Sequence, residues 1–338
     1  MKKYFIWIVG LAILLVGVCF VINEVVDKAE VHQFDTSPYL LQEGCEVLES
    51  DIDKGMVIKD SYGNEWVWIP VLKTEVFLNA KNVDDIENIE RDIKLYTKNY
   101  SDSKYTDDMA EYKELKEKTL KSIYAYGGFW VSRYEIGNTE IRQFGDAVDA
   151  EPLSQQNKYV YNYVTLEQAK ELAFRISGGE YESNLMFGFQ WDLICKFIEK
   201  NGYMSSGEKI TERMISSNSS MWGNYYTSTF TIDKGEYSVD YGKEYVEVGN
   251  AEVKKAYKYY LLTTGAAEAH KVCNLYDFAG NTTEWTLEET VVDNRVWQTI
   301  RDGNFYFNYG GNDPVSGRYM VSDTSAKASY GFRVVCVK

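Results

Sequence analysis

The sequence predicts an α+β fold built on short antiparallel strands, and three observations predict it. Two segments carry apolar residues at helical spacing, around 165–177 and 189–198. Short runs rich in Val, Ile, Tyr, Phe and Trp flank them, bounded by Gly, Asn, Asp and Ser. Long stretches without any sustained period separate these runs, and few helices among short strands and long loops fit a segregated α+β layering. The chain has 338 residues, 45% of them hydrophobic, which supplies a sizeable core.

In chain order, Tyr4 to Ile22 is an unbroken apolar or Gly run behind Lys2 and Lys3. That is long enough to span a bilayer, and the lysines place the N-terminus in the cytoplasm. No A-x-A-like site follows, so residues 1–26 read as an uncleaved single-pass signal anchor in the cell membrane, with the remainder extracellular. Residues 27–55 read as a juxtamembrane spacer, and the folded unit as 56–338. It opens with Met56-Val57-Ile58, a turn at Gly63-Asn64, and Trp66-Val67-Trp68-Ile69-Pro70, the form of a hairpin. Residues 72–122 turn acidic and lysine-rich and read as one or two solvent-exposed helices inserted into the domain. The β pattern resumes at Gly128–Ile136. Thr165 with Gln168 forms a capping box ahead of Leu166, Ala169, Leu172, Ala173 and Ile176, and Gly178-Gly179 ends that helix. A second helix carries Phe189, Trp191, Leu193, Ile194, Phe197 and Ile198. Residues 201–272 are loop-rich, and the last strand is Gly331 to Cys336.

Composition excludes several functions. The net charge is −15, so clustered basic residues for a nucleic-acid backbone are missing and no nucleic-acid partner is expected. Only His32 and His270 are present, too few for a three-histidine metal centre. Outside the apolar run stand Cys45, Cys195, Cys273 and Cys336, which permit two disulfides in any of three pairings or none.

Residues 274–285 read Asn-Leu-Tyr-Asp-Phe-Ala-Gly-Asn-Thr-Thr-Glu-Trp, a tight loop bearing two carboxylates beside turn carbonyls. Hard oxygen donors of this kind suit calcium. The string resembles the N-x-Y-D-x-x-G-N-x-x-E-W signature of formylglycine-generating enzymes and sulfatase-modifying factors, whose domain is a variant of the C-type lectin fold. Further segments resemble that family in the same order. They are Trp66–Pro70, Phe129–Asn138, Val164–Ala173, Gly188–Cys195, the turn Arg301-Asp302-Gly303-Asn304 against R-G-G-S/N, and Gly331-Phe332-Arg333. The resemblance implies a calcium loop made by Asp277 and Glu284 side chains with the carbonyls of Gly280 and Thr282. Thr283 stands where the family usually has an aromatic residue.

The family's oxidase chemistry uses a copper-binding cysteine pair between the R-G-G turn and the G-F-R strand. From Arg301 to Gly331 this chain has no cysteine, so no copper and no catalytic residue are expected. Residues 303–330 instead carry six aromatics from Phe305 to Tyr330 among Asn, Ser and Gly, the composition of adaptable binding surfaces. In the resembled fold this stretch lines the substrate groove. The expected contacts are Asn304, Tyr306, Asn308, Tyr309, Asn312, Arg318, Tyr319, Asp323, Ser325 and Lys327. The pattern also resembles variable proteins of diversity-generating retroelements, which share that fold. The expectation is a membrane-anchored module binding an extracellular protein or glycan. The alternative is an oxidoreductase acting on a protein or thiol through an unrecognised site.

Overall fold

The computed structural model describes residues 41, 43–306, 314–321 and 326–337. The predicted membrane-spanning run 4–22 lies outside them. No helix among the described residues is long and apolar enough to cross a membrane.

Strands β1 (Glu46–Glu49), β2 (Val57–Lys59) and β3 (Glu65–Pro70) form a meander. Next come α1 (Lys73–Val76), α2 (Ile86–Tyr96), β4 (Tyr105–Thr106) and α3 (Lys113–Tyr126), then β5 (Gly128–Ser132), β6 (Gly137–Asn138) and β7 (Tyr159–Val160). Helix α4 (Leu166–Arg175), β8 (Glu182–Leu185), α5 (Gly188–Asn201) and α6 (Glu212–Ser216) lead into five short strands. These are β9 (Phe230–Ile232), β10 (Glu236–Ser238), β11 (Val246–Glu247), β12 (Glu252–Lys254) and β13 (Leu261–Leu262). The chain closes through β14 (Thr283–Val292), β15 (Arg295–Arg301), β16 (Arg318–Val321), β17 (Tyr330–Phe332) and β18 (Val334–Val337). The class is α+β, as the sequence predicts.

The main sheet is antiparallel throughout, in the order β1-β2-β3-β5-β18-β8. Trp68 faces Trp130 across β3 and β5, and Trp66, Val67 and Ile69 are fully buried, because helices cover the sheet. Helix α3 lies against β5 and β18, α4 against β8, and α5 against β3. Burying a row of such side chains, each about 1.5–3 kcal/mol, is the main source of cohesion. In α4 the capping box forms as the sequence predicts: Thr165 Oγ1 accepts from Gln168 N (3.3 Å) and Gln168 Oε1 from Thr165 N (2.9 Å).

A second sheet runs β16-β15-β14-β17, with β4 added to the far end of β14. The turn between β14 and β15 is Asp293-Asn294, both left-handed (φ 51° and 60°), which is the backbone a two-residue hairpin needs.

The structure differs from the sequence-based expectation in three places. The main sheet starts at Glu46, inside the predicted spacer; this edge strand is mostly exposed, so it carries no apolar alternation to read. The charged insertion is built into the body: Ile89, Ile93, Leu120 and Ile123 are fully buried, and Lys116 is held by Glu90 (3.0 Å) and Asp108 (2.5 Å). Finally, the last strand is two. It leaves β14, where β17 is parallel, and enters the main sheet as β18, turning at Arg333.

Within the small strands, Lys254 is fully buried, donating to Tyr225 O (2.7 Å) and Ser228 O (3.0 Å) with no carboxylate partner among the described residues. Burial pushes its pKa down to about 8. The native state therefore releases this proton before the unfolded chain does, so its contribution to stability rises from about pH 8 toward the unfolded lysine value near 10.4. Denaturation of wild type and Lys254→Met at pH 7 and pH 9.5 is expected to show wild type gaining on the order of 1–2 kcal/mol relative to the variant. Parallel pH curves for the two proteins would refute this.

Candidate functional site

The loop 273–285 owes its path to backbone conformations that few sequences supply. Cys273, Asn274, Asp277, Gly280 and Asn281 are all left-handed, with φ between 48° and 78°. At Gly280 a Cβ would lie 2.4 Å from the Asn224 carbonyl oxygen, so only glycine allows the segment at Asn224 to pass. Asn281 then ties three segments together: its Oδ1 accepts from Asn224 Nδ2 and Leu262 N (both 3.0 Å), and its Nδ2 donates to Glu135. Trp285 Nε1 donates to Val164 O (3.0 Å), fixing the loop's end to the start of α4.

Four carboxylates, each at most 1% exposed, surround this loop: Glu135, Asp277, Glu284 and Asp302. Glu135 Oε1 accepts from Thr282 N (2.8 Å) and from the Thr282 hydroxyl. Asp277 Oδ2 accepts from Gly265 N (2.7 Å), and its Oδ1 lies 3.3 Å from His270 Nδ1. Asp302 accepts from Tyr225 Oη (2.5 Å) and from Gly280 N. Glu284 Oε1 accepts from Arg333 Nε (2.8 Å). Burial first, and the neighbouring carboxylates after it, push Glu284 up to about 8 despite Arg333, and raise Glu135 well above the usual carboxylate range. Burial also raises Asp302.

Calcium takes six to eight hard oxygens, and the fit can be judged from these groups. Among the described residues Glu284 Oε2 is buried with no hydrogen-bond partner, and the basic groups bonded to the four acids are Arg333 on Glu284 and His270 on Asp277. Both features suit a cation, since a buried carboxylate oxygen without a partner and a surplus of buried acids are costly. No three acidic, His or Cys side chains among the described residues are grouped to hold a metal. An ion at the sequence-predicted set Asp277, Gly280, Thr282 and Glu284 would therefore draw on the two backbone carbonyls as much as on the carboxylates.

Cys195, Cys273 and Cys336 form no disulfide among the described residues, and burial pushes the Cys273 thiol up to about 12 and raises Cys195 and Cys336. Such thiols are poor nucleophiles and poor metal ligands at neutral pH.

Beside the loop, between β15, β16 and β17, lies a cavity of about 800 Å³. Asn304, Tyr306, Arg318, Tyr319 and Lys327 all line it, so the structure brings together the five sequence-predicted contacts it describes. Asn308, Tyr309, Asn312, Asp323 and Ser325 lie outside the described residues. The five serve differently. Tyr306 and Lys327 are exposed, whereas the Arg318 side chain is 7% exposed. Its guanidinium is held by Glu288 (2.9 Å) and Asp192 (2.6 Å), and Arg301 bonds the same two acids. Arg318 is thus a rigid wall of the cavity. Asn304 donates to Thr283 Oγ1 (2.8 Å), which links the groove to the motif loop. Tyr105, from the charged insertion, also lines the groove, and only its pairing with β14 could have disclosed that.

Sequence reasoning missed Glu135 and Asp302 as members of the carboxylate group. One signal was available: Asp302 occupies the position where the resembled turn has glycine, and its φ is 70°.

No protein-family model and no curated protein matches the chain. Among solved structures, CarF is similar at 12% identity over 62% of this chain and 87% of its own, with a TM-score of 0.38. Treponema denticola variable protein 1 is similar at 13% identity over 63% of this chain and 85% of its own, with a TM-score of 0.35. PvdO from Pseudomonas aeruginosa is similar at 13% identity over 63% of this chain and 82% of its own, with a TM-score of 0.31.

Proposed function

We propose that the chain is an extracellular ligand-binding module of the sulfatase-modifying-factor type, with a C-type lectin-like fold, held to the cell membrane by residues 4–22. Its binding face is the groove over 303–330. The observation that carries this reading is the convergence of Asn304, Tyr306, Tyr319 and Lys327 on one cavity of about 800 Å³, within the volume range of ligand sites. Tyrosine supplies large amphipathic contact area at low entropic cost, and Asn and Lys supply orientation. Calcium at the 277–284 loop would fix the floor of the groove through Thr283 and Asn304; its part is structural, neutralising buried carboxylates.

Screening the protein against arrayed glycans and extracellular proteins tests the reading. A bound ligand is expected to lose at least tenfold in affinity on Tyr319→Ala and on Lys327→Glu, with the melting temperature unchanged. A ligand indifferent to both substitutions would place binding elsewhere.

A further inference from the structure

The aromatic surface continues past the groove. Tyr306 meets Tyr241 edge-on at 4.9 Å and Tyr259 at 5.1 Å between ring centroids. Tyr259 stacks on Tyr226 at 4.8 Å and 15°, and Tyr226 meets the edge of Tyr257 at 5.6 Å. Tyr257, Tyr259 and Tyr306 are 68%, 36% and 38% exposed, so this row belongs to the surface. It rests on a small foundation of its own, in which Val160, Leu261 and Phe305 are buried beneath Tyr241.

Two of these tyrosines are held against local preference. Tyr241 and Tyr257 have φ of 67° and 66°, a left-handed backbone that a bulky side chain adopts only at a cost. The amide of Tyr257 donates to Tyr226 O (2.6 Å), which locks the second of them in place. The two rings are thus held in place by their surroundings against the preference of their own backbone.

Beside Tyr257 and Tyr259 stands a short basic run in a chain of net charge −15. The run Lys254-Lys255-Ala256-Tyr257-Lys258-Tyr259 has three lysines and no acid, and Lys255 and Lys258 are exposed. The acids nearest in sequence, Asp240, Glu244, Glu247 and Glu252, precede this run; Asp240 is turned onto the amides of Lys243 (3.1 Å) and Glu244 (3.0 Å), and Glu252 onto Tyr237 Oη (2.9 Å). Lys243 and Glu244 offset each other. Lys327 adds a further exposed cation at the groove.

We propose that the tyrosine row extends the groove and that its occupant is an acidic polysaccharide. The inference rests on the binding reading above and names its ligand class. A pyranose ring offers an apolar C–H face with a hydroxyl rim, which matches a tyrosine face with a hydroxyl at its edge. Carboxylates along the sugar chain meet Lys255, Lys258 and Lys327, and this complementarity selects against neutral sugars. Ring contacts of 5.1, 4.8 and 5.6 Å join Tyr306 through Tyr259 and Tyr226 to Tyr257, so the outer faces and edges of several tyrosines are offered together, which suits a repeating chain better than a single sugar.

The test is calorimetric titration of the full-length protein with polygalacturonate and hyaluronate, with dextran as the neutral control. At least one acidic polymer is expected to bind while dextran does not. The pair Tyr257→Ala and Tyr259→Ala should weaken binding at least tenfold, and Lys255→Glu with Lys258→Glu should weaken it and flatten its salt dependence. Both pairs are exposed, and an unchanged melting temperature certifies the fold. Failure of both acidic polymers to bind, equal binding of dextran, or preference for a single-stranded oligonucleotide overturns the proposal. If Tyr319→Ala abolishes binding and the row variants do not, the row is wrong and the groove stands. If the row variants abolish binding and Tyr319→Ala does not, the row stands and the groove reading fails.

Discussion

Arg333→Met is expected to lower stability by about 3–5 kcal/mol, the cost of leaving a buried charge without its partner. Arg333 is fully buried, and its guanidinium serves Glu284, the carbonyls of Ser132 (3.2 Å) and Arg133 (3.3 Å), and the carbonyl of Tyr276. Methionine fills much of the space and satisfies none of these oxygens. Glu284, already pushed up to about 8, then loses the one group that favours its charged form most. Against a total stability of about 5–15 kcal/mol, such a loss threatens folding outright. Pairing the change with Glu284→Gln removes the stranded charge, so the double variant should recover part of the loss in urea denaturation. A single variant within about 1 kcal/mol of wild type would show that the guanidinium is not what balances the loop.

Chelation is expected to have the second large effect. With EDTA the melting temperature should fall by several degrees, since a ligand at one hundred times its dissociation constant contributes about 2.7 kcal/mol. Calcium should restore it and magnesium should do so less, because the proposed donor set would mix carboxylates and carbonyls on an irregular loop. Asp277→Ala should be less stable than wild type and insensitive to EDTA. An identical wild-type melting curve with and without EDTA would remove the metal and leave the buried acids to protons.

Short-range physics was legible in the sequence. The capping box at Thr165 and Gln168, the buried stripe of α4, and the glycine of the 277–284 turn are local patterns whose partners lie within a few residues, and the structure contains them. Long-range groupings were not. Glu135 reaches Thr282 across 147 positions, and nothing near Glu135 in the chain distinguishes it from a surface acid. Asp107 caps the start of α5, accepting from Gly188 N (2.7 Å) and Phe189 N (3.0 Å), although it sits in a segment whose charge suggested mere solvation. The cavity beside β15 to β17 was half legible. Asn304, Tyr306, Arg318, Tyr319 and Lys327 were singled out within 303–330, but Tyr105, Thr283 and Ile300 reach its wall from strands whose pairing leaves no local pattern.

The change of sheet at Arg333 bears on how the molecule is made. Strand β18 sits between β5 and β8, in the interior of the main sheet, and it is supplied by residues 334–337. Synthesis runs at about 5–20 residues per second, so β5 waits roughly 10–40 s for its neighbour. During that interval β5 and β8 present open hydrogen-bonding edges, the kind that pair with other chains. A nascent chain cut short before residue 334 holds every strand of the second sheet but cannot join β8 to β5 in the main one, and it keeps both of those edges exposed. Closure of the main sheet, and with it the protection of the β5 and β8 edges, therefore waits on residues 334–337.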